Sequence, residues 1–148
     1  MMHLAAVGVI SLCCFVGPAR AQVSQVQVSP DQLAGRWVSA TPALVLDISR
    51  CATGWCGVQV NDGTCAQTAL RLEVTNQTAK ATVLKGTLLL ATGSKPYQLT
   101  ATLVQSEGAL SLSMAGNTEG RMMMRTFEFR AVFARTRDAS CAVDQKTS

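Results

Sequence analysis

The chain has 148 residues, 48% of them apolar and 15% charged, with a formal net charge of +4. That balance excludes a disordered chain, and outside the N-terminus no apolar run approaches the length of a membrane span. With the first 21 residues set aside as a leader, 127 remain, enough for one domain and too few for two.

Residues 1–21 carry the pattern of a secretory signal, an apolar stretch from Leu4 to Val16 closing on the A-x-A sequence Ala19-Arg20-Ala21. The n-region is weakly positive, which leaves an N-terminal core helix as the competing interpretation. Neither Cys13 nor Cys14 follows the small residue that lipid attachment needs, so the expected product is untethered, begins at Gln22 and lies in the periplasm or outside the cell. Cleavage removes His3, Cys13, Cys14 and Arg20, leaving four cysteines, a net charge of +3 and no histidine. Without imidazole, Ser-His-Asp and Cys-His catalysis and histidine-ligated zinc are excluded. A carboxylate pair is the remaining route to catalysis, and Asp47, Asp62, Glu73, Glu107, Glu119 and Glu128 lie at turns or on solvent faces, so no enzyme and no cofactor are expected. Asp47 alternates out of step with Leu46 and Ile48 and is assigned to solvent. A charge of +3 without an aromatic-rich basic stretch gives no reason to expect nucleic acid.

In chain order, residues 22–34 form an arm followed by a helical turn. Ser29-Pro30-Asp31-Gln32 places Ser at the N-cap, Pro at N1 and Gln at N3, the pattern of a capping box, and such a turn would plug one end of the fold. From Gly35 onward the pattern is all-β: period-two runs over Gly35–Ser39, Ala43–Arg50, Trp55–Val60, Thr68–Thr75, Thr82–Ala91, Pro96–Gln105, Ala109–Met114 and Met122–Arg135, separated by turn chemistry. Every link is too short for a crossover helix, so the strands are expected to pair in sequence as an antiparallel up-and-down barrel over 35–141. A two-sheet β-sandwich is the alternative, and residues 142–148 make a C-terminal tail. An outer-membrane barrel is disfavoured by the six aromatics that remain and by the polar end Lys146-Thr147-Ser148.

Gly35-Arg36-Trp37, after a helical turn and opening the first strand, resembles the G-x-W start of the calycin group, the lipocalins and their avidin-like relatives. Arg125 to Arg135 resembles the closing strand of those barrels, whose final arginine covers the opening tryptophan, which implies that Arg135 stacks on Trp37. The hairpin Cys51-Ala-Thr-Gly-Trp-Cys56-Gly57 is similar to one in a family of small secreted bacterial proteins of uncharacterised function. The resemblance spans Leu33 to Cys141 and carries over no ligand.

An exported chain with four cysteines is expected to be disulfide-bonded, and spacings of five, nine and 76 residues suit no common zinc finger. Cys51 with Cys56 closes a local loop worth about 2 kcal/mol, and Cys65 with Cys141 a long one worth about 4 kcal/mol by chain entropy. The second pair demands that residues 137–140 climb back along the outside of the barrel, and Cys51 with Cys141 stays open as an alternative. If Ile48 faces Val58, Cys51 falls one place off and a bulge or a five-residue loop is expected at the hairpin.

The inward set is expected to include Leu44, Leu46, Ile48, Val58, Val60, Leu70, Leu72, Leu84, Leu88, Leu90, Leu99, Leu103, Leu110, Leu112, Phe127, Phe129 and Phe133. An eight-stranded barrel either packs such side chains into a core or leaves room for one small ligand, and Leu and Val do not decide which. For a ligand-holding barrel the candidate residues are Tyr97, Arg125, Phe127 and Phe129. Arg125 opposite Tyr97 would make an anion-recognising mouth, against the plainer interpretation of rim arginines whose stems cover apolar surface. Met122-Met123-Met124 point to alternating faces, which favours packing over copper binding. The expected function is a binding module for a small apolar ligand, with a protein-binding barrel, such as a protease inhibitor acting through residues 22–28, or a structural envelope protein as the alternatives.

Overall fold

The computed structural model describes residues 27–119 and 126–143. Eight strands follow one another: β1 (Gly35–Ala40), β2 (Ala43–Cys51), β3 (Gly54–Asn61), β4 (Thr64–Gln77), β5 (Ala81–Leu88), β6 (Tyr97–Ser106), β7 (Ala109–Thr118) and β8 (Glu128–Arg137). Each pairs antiparallel with the next, and β8 returns to β1, so the sheet is a closed up-and-down barrel. The alternation that predicts strands thus also predicts their order, because links this short allow only neighbours to pair. Residues 120–125, including Met122-Met123-Met124 and the start assigned to the last strand, lie outside the described residues.

Even-odd alternation divides the barrel wall. Leu46, Ile48, Leu70, Leu72, Leu84, Leu88, Leu103, Leu112 and Phe133 point inward and are all almost wholly buried, forming one core with Trp37, Trp55 and Leu33. Leu90 and Leu110 pack against that core partly buried. Inward-facing Gly86 supplies the close approach that closure needs, since a Cβ there would overlap the carbonyl of Arg71 on β4.

One end is plugged. A 3-10 turn, Pro30–Leu33, is capped as its sequence predicts: Gln32 Oε1 accepts from the Ser29 N–H at 2.8 Å, and Ser29 Oγ accepts from the Asp31 N–H at 3.3 Å. It drives Leu33 into the core, and its Leu33 carbonyl accepts from Trp37 Nε1 at 2.8 Å. Val28 is buried beside it, with its N–H donating to the Ala79 carbonyl. The β2/β3, β4/β5 and β6/β7 turns share this end, and the β1/β2, β3/β4, β5/β6 and β7/β8 connections share the other.

Strand β3 corrects two expectations. Ile48 faces Gly57 and Cys51 faces Gly54, so Ala52-Thr53 make a two-residue turn without a bulge in that ladder. The irregularities fall one ladder over, between β3 and β4 at Gly57/Val58 and Val58/Val60. The register puts Trp55 inward, while Val58 and Val60 point outward, not into the barrel. They are buried all the same because the chain after β8 lies over them, and with Cys141 they form a second small apolar cluster against Val45 and Val143.

Both disulfides are present, Cys51 with Cys56 and Cys65 with Cys141. The second fixes the climb of the chain after Arg137 back along the outer wall.

Candidate functional site

At the end of the barrel opposite the plug, the β5/β6 loop and the approach to β8 leave a mouth. A cavity of about 630 Å³ opens there, its apolar wall made by Leu90, Ala91, Tyr97 and Phe127, with Ser94, Lys95, Thr118 and Glu119 around them. Turn chemistry explains why the wall stops here. Thr92-Gly93-Ser94 reverses the chain, with Ser94 donating to the Ala91 carbonyl through both N–H and Oγ, so Leu90 and Ala91 lie beyond the last β5 pairing and no strand covers them.

The predicted ligand residues divide. Tyr97, the first residue of β6, sits at the cavity, and its ring lies 5.6 Å from that of Phe129 at an interplanar angle of 49°. Phe129 is one layer deeper and buried in the core, so it supports the tyrosine from below without lining the cavity. Phe127, expected among the inward residues, is instead 62% exposed. It precedes β8, and its backbone is held at the rim by Thr118, whose N–H donates to the Phe127 carbonyl at 3.0 Å and whose Oγ1 accepts from the Phe127 N–H at 3.1 Å. Arg125 lies outside the described residues. Sequence reasoning missed Leu90 as a rim residue and missed the contributions of Ser94, Lys95, Thr118 and Glu119; the signal available was that turns flank Tyr97 and precede the last strand.

The barrel interior below the mouth is filled by its own leucines and Phe133. Of the two possibilities left open by Leu and Val, packing is the one realised.

The plugged end holds the other named residues. Trp37 is fully buried and is the cross-strand partner of Arg135. Arg135 donates through Nε to the Ala34 carbonyl at 3.0 Å and through Nη2 to Asp138 at 2.8 Å. Gly35 is required beneath it, with φ +147°, because a Cβ would collide with the guanidinium. A cation lies over a ring elsewhere, where Arg50 stands 4.7 Å from the centroid of Trp55.

Asp47 overturns its assignment to solvent. Its side chain does point away from the core, but the residues after β8 close over it and leave it with no exposed surface. Arg36, the middle residue of G-x-W and its cross-strand partner, grips it in a bidentate pair of 2.6 and 2.7 Å. Asp47 Oδ2 also accepts the N–H groups of Ser140 at 2.9 Å and Cys141 at 2.8 Å. Burial pulls the carboxyl pKa upward, and the hydrogen bonds from Arg36 and from the Cys141 and Ser140 backbone outweigh it, leaving it at about 2. This cluster holds the C-terminal segment in place, with Arg36 Nη2 also donating to Ser140 Oγ at 2.7 Å.

Among the described residues no group of His, Cys, Asp and Glu is arranged to hold a metal, and no helix is long and apolar enough to cross a membrane. Comparison with family models, curated proteins and solved structures returns no match.

Proposed function

We propose that this is an exported binding module, a calycin-like barrel that takes a small apolar molecule, or the apolar end of an amphiphile, in its mouth. One observation carries this reading: a cavity of about 630 Å³ at the unplugged end, apolar on Leu90, Ala91, Tyr97 and Phe127 and polar at a few points. That size and mix is the usual one for small-molecule sites. An exposed phenylalanine beside a tyrosine braced on Phe129 offers a ligand two rings at little entropic cost. Export is supported by the leader pattern and by two disulfides, which persist in oxidising compartments. The packed core supports the mouth, and not mid-barrel, as the position proposed for the ligand.

The test has two arms. Native mass spectrometry of protein purified from its own source should show a mass above that of the processed, disulfide-bonded chain. Titration with 1-anilinonaphthalene-8-sulfonate should show saturable binding that Phe127→Ala weakens about tenfold, as loss of one buried aromatic contact implies. Val132→Ala, which removes a residue 63% exposed on the outer wall, should leave it unchanged. Equal binding by wild type and Phe127→Ala would remove the mouth from consideration.

A further inference from the structure

The two sulfurs of the Cys51–Cys56 disulfide stand in different surroundings. Cys56 is fully buried on the outer wall, whereas Cys51 is half-buried and lines an outer groove of about 370 Å³ together with Thr53 and the charged side chains Arg71, Glu73 and Lys85. Arg71, on β4, is the cross-strand partner of Cys56 and places Nη1 3.8 Å from its Sγ. A guanidinium at a sulfur stabilises that sulfur as a thiolate, and a better-stabilised thiolate leaves a disulfide faster. Attack is therefore expected at Cys51, the cysteine on the groove, with the Cys56 sulfur beside Arg71 prepared to depart.

We propose that Cys51–Cys56 is a site of thiol–disulfide exchange with a peptide or protein carrying two neighbouring thiols. A thiolate of the partner attacks Cys51 Sγ; the new sulfur–sulfur bond forms as the Cys51–Cys56 bond breaks, and its electron pair stays on Cys56 Sγ beside Arg71. The partner's second thiolate then attacks the partner sulfur joined to Cys51. The partner leaves with a disulfide, and the hairpin keeps two thiols. The partner is oxidised by two electrons and the hairpin reduced by two. The other disulfide is poorly placed for this reaction. Cys65 is exposed, but the sulfur that attack would release belongs to Cys141, which packs in the apolar cluster of Val58 and Val60, surroundings that disfavour a thiolate.

The experiment treats the oxidised full chain with dithiothreitol at less than one equivalent, quenches with iodoacetamide at intervals and maps the modified cysteines by peptide mass. Cys51 and Cys56 should be alkylated at least about fivefold faster than Cys65 and Cys141. Arg71→Gln should slow the opening of Cys51–Cys56 several-fold without changing that of Cys65–Cys141, and Arg71→Lys should restore most of the rate. Opening of both disulfides together, or of Cys65–Cys141 first, would overturn the proposal. So would an Arg71→Gln rate equal to wild type.

Discussion

Asp47 accepts from Arg36, Ser140 and Cys141 at a point where no water reaches it. An amide in its place cannot accept the bidentate guanidinium and leaves a buried cation uncompensated, so Asp47→Asn should cost about 3 kcal/mol in urea unfolding at neutral pH. The sign of the pH dependence follows from the depressed pKa. The unfolded carboxyl titrates near 3.8 and the folded one at about 2, so the unfolded state binds more protons between them. The stabilisation, about 2 kcal/mol, is complete above the unfolded value and disappears as pH falls through about 2. Urea midpoints measured between pH 6 and pH 2 should fall accordingly in wild type, with a shallower fall in Asp47→Asn. Nothing local announces this role. An acid between Leu46 and Ile48 reads as a solvent-facing residue, and what buries it is chain more than 90 positions away.

At the scale of elements, the segment after β8 behaves as a strap over the outer face of β2 and β3. It is held by the Cys65–Cys141 bond and by Asp47, and it buries Val58 and Val60. A variant with both Cys65→Ser and Cys141→Ser frees a loop of 76 residues in the unfolded chain and should lose about 4 kcal/mol, read as a lower urea midpoint. Replacing Cys51 and Cys56 by serine should cost about half as much. The climbing strap was legible as a demand of the pairing, since Cys65 and Cys141 otherwise sit at opposite ends. The facing of β3 was not. Val58 and Val60 look like core in an alternating run, and Gly57 and Gln59 look like surface; only the strap, which the periodicity of β3 itself cannot contain, makes the reversed assignment favourable.

For the whole molecule, closure joins β1 to β8, so Trp37 finds Arg135 across nearly a hundred residues. Contacts so distant in sequence make folding slow, and refolding from urea with disulfides intact should take milliseconds to seconds in stopped-flow fluorescence of the buried Trp37 and Trp55. The barrel itself was readable because turn residues and period two agreed along the length of the chain, and because short links left one pairing order. The mouth was only half readable. Tyr97 and Phe129 stand out as aromatics in strands, but the cavity is made by the places where strands stop, and Leu90 and Phe127 are on the rim because β5 ends at Leu88 and β8 begins at Glu128.

The chain enters the barrel at Val28, pinned to the β4/β5 turn beside the plug and a full barrel length from the mouth. A bead, sensor chip or fused reporter joined through the chain ahead of Gln27 is therefore attached at the sealed base, the end of the barrel remote from the opening.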